Sequence, residues 1–179
     1  MKKTFLLMLI VLQAKLLAAQ YKPVDPGSEI KFTVTNFGFD VSGTFTGLQG
    51  AIHIDQQDPV NDNFDVSIDA NTVNTDNHTR DNHLREDSYF DVRNYPRIRL
   101  VSTRVASTGK TGMYQFTGQL TIKGKTRPLS FPFTIAPAGD DGLLFTGTFV
   151  INRKDFGVGG TSTIGNELHV TLKVLTTKQ

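Results

Sequence analysis

The segment Glu167-Leu168-His169-Val170-Thr171-Leu172-Lys173-Val174 alternates strictly between polar and aliphatic residues. Successive side chains of a strand point to opposite sides, so Leu168, Val170, Leu172 and Val174 share one face and Glu167, His169, Thr171 and Lys173 the other. The same period runs back through the chain. Ile30, Phe32 and Val34 oppose Glu29, Lys31 and Thr33; Phe64, Val66, Ile68 and Ala70 form another set; Ile98 and Leu100 begin a strand ending near Val105. Tyr114, Phe116, Leu120 and Ile122 follow the turn Ser107-Thr108-Gly109-Lys110, and Gly124-Lys125 reverses the chain into Leu129, Phe131, Phe133 and Ile135. After Gly139-Asp140-Asp141-Gly142, Leu143, Phe145, Phe149 and Ile151 make a further strand.

One stretch breaks parity. Between Asp40 and Ile54, Phe45, Leu48, Ile52 and Ile54 cannot share a face in a regular strand, and a bulge near Gly47 is expected to restore it. Counting this stretch, eight strands joined mainly by local turns predict an all-β, antiparallel meander. Closure into a barrel would remove its exposed edges. An eight-stranded barrel is just wide enough to be filled by side chains or to hold one ligand. Gly43, Gly118 and Gly147 fall on or near the apolar parity, where they either open a cavity or ease coiling of the sheet. The faces opposite the phenylalanines carry Glu29, Lys31, Asp65, Arg97, Arg99, Lys123, Ser130, Thr134 and His169, an exterior suited to water rather than to an outer-membrane lipid belt.

The first 19 residues read differently. Lys2 and Lys3 precede the apolar run Phe5 to Leu12, and Leu16-Leu17-Ala18-Ala19 supplies small residues for cleavage. This is the pattern of a secretory signal peptide, too short in its apolar core to span a bilayer, and it predicts export to the periplasm with cleavage after Ala19. Residues 20–179 are then one domain. Removing three lysines takes the formal charge from +2 to −1, so the apparent basicity gives no case for nucleic acid as a partner. There is no cysteine, so packing and sheet closure must stabilise an exported chain without disulfides.

The polar patch Thr75-Asp76-Asn77-His78-Thr79-Arg80-Asp81-Asn82-His83-Leu84-Arg85-Glu86-Asp87 interrupts the strands. Thr75 or Asp76 is a candidate cap for a short helix, with Asp81 and Arg85 paired across one turn. Leu84, Tyr89 and Phe90 are expected to press that helix onto one barrel mouth. His78 and His83, five residues apart, are poorly placed for a shared metal ion, and no thiolate is available. No nucleophile elbow, phosphate loop or dinucleotide motif occurs, so the reading is non-catalytic and implies no cofactor. In Ile151-Asn152-Arg153-Lys154-Asp155-Phe156-Gly157-Val158-Gly159-Gly160, Arg153 either fixes the loop by pairing with Asp155 or Asp81, or donates to an anionic group.

In order and spacing, several stretches resemble the YceI-like family of exported, lipocalin-like, polyisoprenoid-binding proteins. They are Val34-Thr35-Asn36-Phe37-Gly38, Arg80-Asp81-Asn82-His83-Leu84, Tyr89-Phe90-Asp91-Val92, Tyr95-Pro96-Arg97-Ile98, Leu120 to Pro128 and Asn152-Arg153-Lys154-Asp155-Phe156-Gly157. The resemblance implies a lipocalin-like eight-stranded barrel with a helical insertion, whose interior takes the apolar tail of a quinone-like or polyprenyl lipid. The implied lining is Phe32, Val34, Phe45, Phe64, Val66, Phe116, Leu120, Phe131, Phe133, Phe145 and Phe149. Arg80, His83 and Arg153 at the mouth are the candidates for a polar or phosphorylated head group. The implied partners are the isoprenoid lipid and a transient membrane or membrane-protein partner, and homodimerisation is compatible with the sequence. Two alternatives stand beside this: an interaction module whose core is filled by its own side chains, and an accessory factor presenting lipid or quinone to a membrane redox partner. Protein recovered from a periplasmic extract is expected to begin at Gln20, which N-terminal sequencing or intact mass would check.

Overall fold

The computed structural model describes residues 19–55, 62–160 and 163–179. Residues 1–18, which hold all but the last residue of the expected signal peptide, most of the turn-rich Gln56 to Asn63, and Thr161 and Ser162 lie outside the described residues. Among the described residues, nine strands form one antiparallel sheet: β1 (Ala19–Asn36), β2 (Phe39–Phe45), β3 (Gln49–Ile54), β4 (Asn63–Asp69), β5 (Arg97–Ser107), β6 (Met113–Ile122), β7 (Lys125–Ala138), β8 (Gly142–Asn152) and β9 (Ile164–Lys178). Neighbours in sequence pair from β3 through β9, as expected of a meander. The long β1 closes the barrel by pairing with β9 from Tyr21 opposite Lys178 to Asn36 opposite Ile164, with irregularities after Val24 and Val34.

The stretch Asp40 to Ile54 is two strands rather than one bulged strand. β2 pairs with the second half of β1, and β3 pairs with its start at Ala19 to Tyr21 and with β4 on its other side. Gly47 sits at the break in a left-handed conformation (φ 74°). The Asp25 carboxylate accepts from the Gly47 and Leu48 amides at 3.0 and 2.9 Å, and the Gly47 carbonyl accepts from Arg97 Nη2 at 2.8 Å. These bonds satisfy the backbone where the ladder stops. Phe45, Ile52 and Ile54 are all buried, so the common face expected of this stretch is kept by a different device.

Core glycines are explained by neither sequence expectation alone. A Cβ at Gly43 would strike the Phe32 ring and lie 2.8 Å from Thr75 Cγ2; at Gly118 it would strike Val101 O and the Phe116 ring; at Gly147 it would lie 3.0 Å from the Phe131 ring. The missing side chains leave room that phenylalanine rings occupy. Elsewhere the alternation holds: the inward phenylalanines are largely buried and their outward neighbours Asp65, Arg99, Ser130, Thr134 and His169 are exposed.

Arg99 on β5 makes a bidentate pair with Asp65 on β4, at 2.8 and 2.6 Å. The Arg99 hydrogen bonds hold the Asp65 carboxyl below its ordinary value. A carboxylate with a lowered folded pKa stabilises the fold above its unfolded pKa and ceases to do so as pH falls through the folded value. Both groups are more than half exposed, so solvent screening keeps the effect small. In acid titrations, Asp65→Asn should lessen the loss of stability below pH 3.8. Gly43→Ala, by overpacking against Phe32, should cost about 1–3 kcal/mol in denaturant unfolding.

Candidate functional site

Two adjoining cavities account for all the implied site residues. The inner one, about 150 Å³, lies inside the barrel, and its apolar wall includes Phe32, Phe45, Phe64, Val66, Phe116, Leu120, Phe131, Phe133, Phe145 and Phe149. The outer one, about 550 Å³, is the mouth, where Val34, Arg80, His83 and Arg153 meet. Phe32, Phe90 and Leu168 line both, so the two cavities adjoin at these side chains. Sequence reasoning left Ile30, Ile52, Leu100, Val170 and Leu172 out of the lining although their parity marked them as inward. It also left out Phe90, which only the docking of the helix brings in.

Phenylalanine rings organise the interior. Phe64 is their hub, edge-on to Phe116, Phe133 and Phe145 at 5.9, 5.5 and 5.6 Å. Phe131 extends the group by contacts of 4.9 Å to Phe116 and 4.8 Å to Phe149. A second group, Phe32–Phe45–Phe90, sits where the two cavities meet. Edge-to-face pairs of this kind favour defined ring positions, so the inner space has a set shape.

The lid of the mouth is helix α1 (His78–Arg85). Its N-cap is Asn77, whose side chain accepts from the Arg80 amide, rather than Thr75 or Asp76. Asp81 does not pair with Arg85. It is 7% exposed, and its Oδ1 accepts from the Thr75 amide at 2.8 Å and the Thr75 hydroxyl at 2.5 Å. Arg85 reaches down instead, donating to the Asn71 and Val73 carbonyls at 2.8 and 2.9 Å. The sequence spacing permitted the Asp81–Arg85 pair; tertiary docking gave Asp81 the buried Thr75 and Arg85 two backbone carbonyls instead. Leu84 and Tyr89 pack on the core and Phe90 is buried in it, as expected.

Arg80 donates through Nε to the Thr75 hydroxyl and through Nη2 to the Thr75 carbonyl, both at 2.7 Å. Among the described residues, Nη1 of Arg80 has no hydrogen-bond partner. Arg153 is 4% exposed and pairs with neither Asp155 nor Asp81. It donates to the carbonyls of Gly165, Val158 and Ile164 at 2.8–2.9 Å and to that of Gly159. A guanidinium turned toward carbonyls fastens the loop after β8 to the start of β9, because it carries several donors in a rigid plane. That loop is also clipped to the segment after α1, by Gly159 N to Ser88 O at 2.8 Å and by Lys123 Nζ, which bridges the Asp87 and Gly157 carbonyls. His83 lies at the rim, 3.1 Å from Glu86 and edge-on to Tyr89.

The sequence matches the YceI-like domain over residues 21–175. The chain belongs to the YceI-like family. A UPF0312 protein of Pectobacterium carotovorum is 33% identical over 152 residues, covering 79% of this chain and 77% of that one. In three dimensions the fold is similar to Burkholderia cenocepacia BcnA, with a TM-score of 0.78 and 23% identity, covering 84% of this chain and 96% of BcnA. It is also similar to a polyisoprenoid-binding domain from Saccharophagus degradans implicated in plant cell wall breakdown, with a TM-score of 0.73 and 15% identity, covering 91% and 99% of the respective chains. Both are likenesses of fold.

The Thr75–Asp81 contact makes a specific demand on the mouth. Asp81→Ala leaves a buried Thr75 amide without its acceptor. It should destabilise the protein by about 1–3 kcal/mol, with faster amide exchange concentrated in residues 75–85.

Proposed function

We propose that this YceI-like protein is a non-catalytic carrier of a long-chain isoprenoid lipid, with the tail in the barrel and the head group under α1. The observation that carries this reading is the apolar barrel interior that adjoins a roomier mouth at Phe32, Phe90 and Leu168. The similarity of fold to a polyisoprenoid-binding domain supports the ligand class. Burial of each methylene contributes about 0.8 kcal/mol, so a tail needs few polar contacts to be held.

Size sets how the tail is held. An apolar space of about 150 Å³ takes a ligand of roughly benzene size, so a longer tail requires rings such as Phe131 and Phe149 to turn aside. At the mouth, Arg80 is the better candidate for the head group, because it keeps a donor to spare while Arg153 is engaged by the loop it fastens. This reading includes export to the periplasm through the N-terminal segment expected to act as a cleaved signal.

Native mass spectrometry of protein recovered from its exported compartment, followed by lipid analysis of any released adduct, tests the reading. A discrete isoprenoid adduct is expected. Val66→Phe, which fills part of the inner cavity, should lower its retention about tenfold, equivalent to about 1.4 kcal/mol, with the fold verified by thermal unfolding. Arg80→Gln should weaken a polyprenyl phosphate more than a neutral quinone. Protein that carries no adduct and refuses both ligands would instead be an interaction module with a side-chain-filled core.

A further inference from the structure

The most exposed large apolar side chains among the described residues are two phenylalanines on one turn. Phe37 is 73% exposed and Phe39 76%, at the tip of the β1–β2 hairpin. The turn residues Phe37 and Gly38 both have positive φ, 50° and 82°. That is the tight two-residue hairpin geometry, and its first position suits Asn, Asp or Gly better than a bulky residue. A phenylalanine there costs the backbone and gains no core contact.

The position of the tip relative to the cavities gives it a meaning. Along β2, Phe39, Val41, Gly43 and Phe45 share one face; on β1 they oppose Asn36, Val34, Phe32 and Ile30. Phe32 and Phe45 line the inner cavity, Val34 and Val41 the mouth, and Phe39 lies one step further out on the same face. The rim residue Asn36 lines the mouth too, and its Oδ1 accepts from the Thr163 hydroxyl at 3.1 Å. Burial declines along this face from Phe45 to Phe39, while its apolar character persists. The cavity-lining face of β2 therefore continues past the rim as an exposed apolar ramp.

We infer that the β1–β2 hairpin tip docks on a lipid bilayer, with Phe37 and Phe39 inserted at its interface, so that an apolar lipid passes along the Phe39–Val41 face into the mouth. This rests on the lipid-carrier reading for the cargo, but not for the docking itself. The bilayer is favoured over a protein partner by shape and size. Two phenylalanines of about 150–250 Å² each, on a convex turn, fall short of the roughly 800 Å² per partner that a stable protein interface buries. They suit the amphipathic boundary of a membrane, where a small apolar insertion gives reversible binding. Residues 32–47 hold no lysine or arginine, and Asp40 is exposed beside the tip, so attraction to anionic head groups contributes little.

The chain has no tryptophan, which makes single-tryptophan variants clean reporters. Phe37→Trp and Phe39→Trp are mixed with vesicles of phosphatidylethanolamine and phosphatidylglycerol, with Val150→Trp, on the outer wall of β8, as control. The first two should shift to shorter emission wavelength and be quenched by brominated acyl chains, even at about 1 M salt where charges are screened within ~3 Å; Val150→Trp should do neither. Phe37→Ser/Phe39→Ser should slow lipid transfer from vesicles about tenfold while leaving uptake from detergent micelles intact, a rate change equivalent to about 1.4 kcal/mol. Absence of shift and quenching at both tip positions overturns the proposal. So does a blue shift without vesicles that grows with protein concentration and tracks a dimer in sedimentation, which would make the tip a contact between two copies. Tip quenching without uptake from micelles supports docking and removes the lipid-carrier reading instead.

Discussion

Everything in this molecule depends on the pairing of β1 with β9. A meander of this length has two free edges, and each would present a row of unpaired amides and carbonyls. Joining the first strand to the last removes most of that edge and at the same time encloses the inward faces of all the strands. Without cysteine, the covalent chain offers no other cross-link to hold its ends together. The interior is thus a consequence of closure, and its chemistry follows from which parity carries the phenylalanines.

Phenylalanine serves two ends in that interior. Its rings fill space efficiently and lock one another edge-on around Phe64, as a stable core requires. Yet each ring turns about only two side-chain torsions, and the glycines at positions 43, 118 and 147 give rings places to lie against the sheet. The proposed carriage of a lipid tail would require some of these rings to turn about those torsions. The mouth is built on the opposite principle. There Asp81, Thr75, Arg85 and Arg153 form buried, well-partnered polar contacts that fix α1 and the loop after β8 in place. Polar groups removed from water must be paired, so such networks specify one arrangement.

How far the sequence could be read differs between strands and mouth. Period-two alternation gave strands and their inward faces, because those depend on local geometry alone, while the lining was implied by the family resemblance. At Gly47 the parity conflict was visible, but its resolution was not: Asp25, more than 20 residues away, and Arg97, 50 residues away, supply the bonds that let β2 stop and β3 begin. Likewise Asp81 and Arg85 have the spacing of a helical pair and make none, since Thr75, Asn71 and Val73 lie closer to hand once the helix docks.

The order of polar and apolar residues by itself determined that this chain is an antiparallel barrel with phenylalanines inside, charges outside and one helical interruption. A strand's two faces are set by its own sequence. The family resemblance already implied that the interruption and Arg153 meet at one mouth; only the tertiary structure decided which carbonyls fasten them there, that two cavities adjoin at Phe32 and Phe90, and that Phe39 carries the inner face beyond the rim. These are relations between segments far apart in the chain, fixed by register and closure, and no local pattern encodes them.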